Sequence, residues 1–348
     1  MKRVLITGNL GYNGVWVTNV LKRTGHQTIG FDCNYYEEGL FEDDEFAPDH
    51  QILKDLRQIA AADLDGIDVV VHLAALSNDA TGELNPHLTR RINQEASIRL
   101  ARLAKRQGVR KFLYASSCSI YGISDSDSPV TEDAPVAPLT AYARAKVEAE
   151  SELLRLHDET FRVVIMRNAT MHGLSPKLRL DLVLNNLVAS AYLEGRVRIL
   201  SDGSPWRPLL SVLDFALAVL LFLDCDVKHV VYNVGFDEEN YQVKALGRMI
   251  SDLTGATLEI NPARTPDERS YRVAFTRLQR EFPEFRLQMP VRASAAGLLT
   301  AYETFGLTRA DFTGPKFFRI RTLKDLIARG VLDEHLERMS CCHEQRCP

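Results

Sequence analysis

Apolar and polar positions along the chain follow two alternating rhythms. Short runs dense in Val, Ile and Leu at residues 4–7, 28–31, 51–53, 69–73, 111–115 and 162–166 read as β-strands. Between them apolar residues recur at helical spacing, most clearly over 86–107 and 141–156. Strands that are apolar on both faces and joined through helices imply a parallel sheet covered on both sides. The expected fold is therefore α/β, a doubly wound parallel sheet.

Beyond residue 168 the alternation loosens into a helix at 180–194, a turn at Arg207-Pro208, an apolar helix at 212–224, a strand at 230–234 and a mixed remainder. The expected division is a sheet domain over 1–168, with 212–234 packing back on it. An interleaved C-terminal substrate lobe, 169–211 and 235–330, would cover the carboxyl edge of the sheet, where open α/β folds bind ligands. Residues 331–348 read as a tail. The segment 33–50, rich in Asp, Glu, Tyr and Phe, reads as an exposed loop. The longest apolar stretch, 209–223, contains Asp214 and is shorter than the ~20 residues that span a bilayer. No membrane partner is expected. One short apolar run before a glycine loop is unlike a signal peptide, which points to a cytoplasmic location.

Composition alters this picture little. Forty-two Lys and Arg against 46 Asp and Glu leave a net charge of −4, with no basic run to track duplex nucleic acid. Six cysteines at irregular positions suggest reduced thiols. Cys341, Cys342 and Cys347 in the tail lack metal-ligand spacing, and no metal is expected.

The chemistry begins at the end of the first strand, where Gly8-Asn9-Leu10-Gly11-Tyr12-Asn13-Gly14 leads into a helix. Glycines here allow a tight turn and a close backbone approach to pyrophosphate, while the helix N-terminus attracts the anion. The same residues could form a plain turn, but their place after the first strand favours a Rossmann-type dinucleotide site. Asp32 ends the second strand about twenty residues further on, where a carboxylate accepts from ribose hydroxyls and repels a 2′-phosphate. This favours NAD over NADP. Asp55, ending the third strand, is a further candidate at the adenine end. Tyr142 and Lys146, at i and i+4, share a helix face, and Ser117 ends a strand about 25 residues earlier. Lys146 would lower the Tyr142 phenol pKa so that it works as acid and base, with Ser117 bonding the same substrate oxygen.

Taken in order, these residues resemble the extended short-chain dehydrogenase/reductase superfamily, specifically the NAD-dependent epimerase/dehydratase family acting on nucleotide sugars. The resemblance adds Val71-His72-Leu73-Ala74-Ala75, Asn93, the run 116–122, Arg167, Arg207 with Val212 and Asp214, Asn233-Val234-Gly235, and Arg264 with Asp267. It covers about residues 1–285. It implies that Ser117, Tyr142 and Lys146 are catalytic. The loop residues Gly8 to Gly14, with Asp32, Asp55, Leu56, Leu73, Ala74, Ala75 and Asn93, would line NAD together with Tyr142 and Lys146. Arg207 and Arg264 would grip a nucleotide-sugar diphosphate, helped by Asn185 or Asn186. A homodimer through helices 86–107 and 140–156 is implied as well.

Departures from the family pattern narrow the chemistry. Members that remove water across C5–C6 carry an acidic pair after the catalytic hydroxyl, and here those positions are Cys118 and Ser119. Without a carboxylate at that place dehydration loses its usual acid and base, whereas C4 epimerisation needs neither. Cys118 is out of step with the cysteine of C3/C5 epimerases, which would fall at Ser119. Thr170 replaces a sugar-contacting Asn, and Arg207-Pro208 replaces an Arg-Asp pair. The expectation is a C4 epimerase working through a 4-keto sugar. A 4-keto-sugar reductase or dehydrogenase, and a non-catalytic NAD(H)-sensing module, are the alternatives.

Overall fold

The computed structural model describes residues 1–41, 47–77, 79–124, 128–262 and 269–339. Arg264 and the tail cysteines Cys341, Cys342 and Cys347 lie outside them. The strands are β1 (Arg3–Thr7), β2 (Gln27–Asp32), β3 (His50–Leu53), β4 (Val69–His72), β5 (Lys111–Ser117), β6 (Arg162–Asn168), β7 (Thr170–His172), β8 (Arg196–Ile199), β9 (Trp206–Ser211), β10 (Val231–Val234), β11 (Asn240–Gln242) and β12 (Thr257–Ile260). Seven of them form one parallel sheet in the order β10-β6-β5-β4-β1-β2-β3, the expected α/β doubly wound arrangement.

Both faces of the sheet are packed, because successive strand residues point to opposite sides. Val4 and Ile6 of β1 join Val71, Leu113 and Val164 under helices Tyr12–Arg23 and Val212–Asp224 through Val17, Leu21, Phe215 and Phe222. Leu5, Val70 and Phe112 face the other way, against Leu100 and Ala104 of helix Ser97–Arg106 and Ala149 and Leu153 of helix Ala141–Leu156. The 86–106 segment is helical throughout, with a π-helical stretch over Arg90–Ala96. Strand β10 pairs with β6 at the edge of the sheet. A third apolar cluster includes Leu184, Val197, Leu209, Leu246 and Leu298.

Two sequence expectations are corrected. Arg207-Pro208 is not a turn but lies within β9, between β11 and β7. Proline is tolerated there because the pairing of β9 with β7 starts only at Leu209, so Pro208 owes no amide to that side. Residues 331–339 are not a loose tail, because Leu332 and Leu336 are buried. No helix among the described residues is long and apolar enough to cross a membrane.

Candidate active site

The strand order reverses beside β1, whose neighbours are β2 and β4, and a cavity of about 600 Å³ opens there at the carboxyl edge. Gly8 turns the chain with φ +77°, and a Cβ on it would lie 2.7 Å from the Ala74 amide nitrogen. On Gly14 a Cβ would meet the Gly8 carbonyl at 2.0 Å, so helix Tyr12–Arg23 approaches β1 only through glycine. Gly11 is the helix N-cap and offers no side chain to the first-turn N–H groups, which face the cavity with Tyr12, Asn13 and Gly14. The Tyr12 phenol turns away to donate to the Gly173 carbonyl at 2.6 Å.

Asp32 lines the cavity beside this loop. Its Oδ2 accepts from Leu10 N–H at 3.2 Å and its Oδ1 from Asn34 N–H at 2.7 Å. Burial raises the carboxyl pKa, against these bonds and the charges of Arg319 and Lys177. Two carboxylate oxygens with lone pairs to spare suit a ribose diol. Replacing Asp32 with Ala is expected to weaken NAD binding about ten- to a hundredfold, the worth of one or two charge-assisted bonds, while NADP, relieved of the repulsion on its 2′-phosphate, binds as well or better. Calorimetric titration of both dinucleotides checks this.

Ser117 at the end of β5 and Tyr142 and Lys146 on helix Ala141–Leu156 line the same cavity. The helix is fixed by Thr140, whose hydroxyl caps Ala143 N–H at 3.1 Å, and by Glu83, which accepts from Ala141 N–H at 2.6 Å. The Ser117 hydroxyl lies near the Tyr142 phenol and favours its charged form. Lys146 Nζ donates to the Ala115 carbonyl at 2.7 Å and lies 5.6 Å from the centre of the Tyr142 ring. Burial pushes Lys146 down to about 7, with Glu150 opposing. Tyr142 is pushed up to about 12, again by burial, with Arg179 and Ser117 pulling it down. The expected depression of the phenol by Lys146 is thus reversed in the protein by itself: the ammonium is committed to a carbonyl, and desolvation prevails.

Toward the other end, Thr170, Asn186 and Arg207 line the cavity, joined by Arg198, Arg269 and Tyr271. Arg207 donates to the carbonyls of Trp206 at 2.8 Å and Arg269 at 2.5 Å, with its guanidinium 5.7 Å from the Tyr271 ring centre. Arg269 pairs with Asp79.

Not every expected residue lines the cavity. Asn9 is buried and donates to Gln51 Oε1 at 2.7 Å. The Asn93 amide clasps the backbone of Leu76 at 2.8 and 3.1 Å, which positions the lining residues Leu73, Ala74 and Ala75. Asn185 braces Gly173 and Arg179 from behind. Cys118 points into the core, its Sγ 3.2 Å from the Arg167 carbonyl, and burial pushes its thiol up, whereas Ser119 faces the cavity. Asp55 and Leu56 reach the lining, but the Asp55 carboxylate is taken by Arg57 at 2.6 and 3.0 Å. The sequence reading missed Arg179, held by Asp181 at 2.8 Å, and Arg319.

These features fit a dinucleotide. Besides the open helix terminus, the buried polar atoms Asn13 Oδ1, Ser119 Oγ, Asn168 Oδ1 and Arg319 Nη1 have no protein partner, and all four belong to cavity-lining residues. Comparison with known proteins agrees. The chain is 29% identical over 317 residues to the UDP-glucose 4-epimerase of Mycolicibacterium smegmatis, covering 87% of this chain and 98% of that protein. It is 25% identical to an uncharacterized UDP-glucose epimerase, YtcB, of Bacillus subtilis, over 74% of this chain and 85% of that one. The structure of MoeE5 in complex with UDP-glucuronic acid and NAD superposes with a TM-score of 0.75 at 26% identity, covering 87% of this chain and 99% of that one. A model of the NAD dependent epimerase/dehydratase family matches residues 4–235, from β1 to just past β10. Because that span takes in the glycine loop, Asp32 and the Ser117, Tyr142 and Lys146 set, the chain belongs to this family, and it is an NAD-dependent enzyme.

Proposed function

We propose that the protein is a nucleotide-sugar epimerase acting at C4. The observation that carries this reading is the pairing of an intact Ser117, Tyr142 and Lys146 set with a wall that, among the described residues, offers no free carboxylate beside it. Ser119 occupies the place facing the cavity, and the nearby carboxylates Asp79 and Asp181 are held in ion pairs by Arg269 and Arg179. Dehydration would need such a carboxylate as acid and base, and epimerisation does not.

Tyr142 removes the proton of the C4 hydroxyl and later returns it, and Ser117 bonds the same oxygen throughout. NAD, when bound, takes up and gives back the hydride. Lys146, which lines the cavity beside the phenol, would help to hold NAD there. Arg207, with Arg269 near it and Arg264 outside the described residues, supplies cations for a diphosphate. The 4-keto sugar must turn over between the two halves of the cycle, for which a wide cavity leaves room. The proposal includes a homodimer seamed by helices 86–106 and Ala141–Leu156, whose outward faces carry both signs of charge, Arg90, Arg99 and Arg102 against Glu95 and Glu148.

Incubation with UDP-glucose should yield UDP-galactose, with no net NADH. Stoichiometric NADH would favour a dehydrogenase instead, and a 6-deoxy-4-keto product would mean that dehydration proceeds without the acidic pair. Either result overturns the C4 reading.

A further inference from the structure

The chain from residue 319 to 339 packs beside the end of the cavity lined by Asp32, Tyr35 and Asp55. Helix Arg319–Ala328 and the segment after it bury Leu323, Leu326, Leu332 and Leu336 against Tyr35 and Ile92. Arg57, gripped by Asp55, donates to the carbonyls of His335 at 2.8 Å and Leu336 at 3.1 Å, and the Tyr35 hydroxyl donates to Leu336 as well. Asp55 thus anchors the C-terminal segment.

Arg319, the first residue of that helix, projects into the cavity and is 2% exposed. Its guanidinium stacks 3.9 Å from the Tyr36 ring centre, and Nη2 donates to the Lys177 carbonyl at 3.3 Å. Its Nη1 has no protein partner. No carboxylate among the described residues forms an ion pair with it, although the charges of Asp181 and Asp32 act on it across the cavity. Burial and the like charge of Arg179 work against the guanidinium cation. A buried cation without a counter-ion is costly, and an incoming anion relieves the cost. The uncapped first turn of helix Tyr12–Arg23 lines the same cavity with N–H groups that also favour an anion.

We propose that Arg319 binds the pyrophosphate of NAD from the side opposite the glycine loop, which makes the C-terminal segment part of the cofactor site. Asp32 then takes the ribose hydroxyls beside it. The inference rests on the NAD dependence of the chain and not on the C4 reading, so it can fail while that reading stands.

The test titrates the full chain, freed of nucleotide, with NAD, ADP-ribose, adenosine and NADP by calorimetry. Arg319→Met should weaken NAD and ADP-ribose by about ten- to a hundredfold, as expected for lost charge-assisted bonds, and leave adenosine within about twofold. Arg319→Lys keeps the charge without the fork and should lose several-fold on the three pyrophosphate ligands, NAD, ADP-ribose and NADP, and not on adenosine. That variant decides the matter if Arg319→Met does not fold. Equal losses for all three of NAD, ADP-ribose and adenosine would mean that Arg319 only braces the fold. A larger loss for NADP than for NAD would place it at the ribose 2′ position. Unchanged NAD affinity in both variants would mean no contact. Each of these three results overturns the proposal.

Discussion

Replacing Tyr142 with Phe is expected to lower turnover by about a thousandfold, within the range for loss of a positioned acid and base, while the protein stays folded and holds NAD within several-fold of its normal affinity. Among the described residues no neighbour can take over the proton. Lys146 Nζ is committed to the Ala115 carbonyl at 2.7 Å, and the Ser117 hydroxyl, accepting from Ser119 N–H at 3.1 Å, is too weak an acid and base at neutral pH. The phenol is held up at about 12 by burial, so its base form grows about tenfold per pH unit below that value. Turnover of the unaltered protein should therefore rise as pH rises from neutrality, and the residual rate of Tyr142→Phe should not follow it. Initial rates across pH check both statements. A variant keeping more than about a tenth of the activity would remove Tyr142 from the mechanism.

How much of this was legible in the sequence depends on the range of the interaction. The parallel sheet was readable because its strands are apolar on both faces, so a stretch such as Val69–His72 declares itself without reference to its neighbours. The glycine loop was readable because its constraints are local: Gly8 needs positive φ, and Gly14 needs room against the Gly8 carbonyl. Arg207-Pro208 misled because proline in a strand is decided by what pairs on each side, which only the tertiary structure supplies. Arg319 left no signal at all. It follows Asp32 by almost the whole chain, and nothing in its neighbourhood marks it as a ligand until the helix it starts is laid against Tyr36. The phenol pKa went wrong for a related reason. An i, i+4 spacing shows that two side chains share a face, but not that one is bonded to a strand carbonyl or how far burial outweighs the nearby charge.

Arg167→Met is expected to cost about 3–5 kcal/mol of stability, the penalty for stripping the partner from a buried ion. Arg167 is 8% and Glu150 3% exposed, and they meet at 2.9 Å beneath the cavity-lining ends of β5 and β6. Arg167 also donates to the Tyr121 hydroxyl at 3.1 Å and the Glu132 carbonyl at 3.0 Å, and Glu150 accepts from the Ser116 hydroxyl. Truncating the arginine leaves a carboxylate in the core with only that hydroxyl bonded to it and, among the described residues, no cation closer than Lys146. Replacing both partners by apolar residues, as Arg167→Met with Glu150→Leu, removes the orphaned charge and should recover most of the loss. Urea denaturation of the two variants and the unaltered protein measures this. The pair also sits between cavity-lining neighbours, because Ser116 precedes Ser117 and Arg167 precedes Asn168. If its task includes holding these strand ends in register, the double variant should regain stability without regaining turnover. If both return together, the pair serves the core alone. Should the single variant lose less than about 1 kcal/mol, the ion pair is not the electrostatic anchor that its burial indicates.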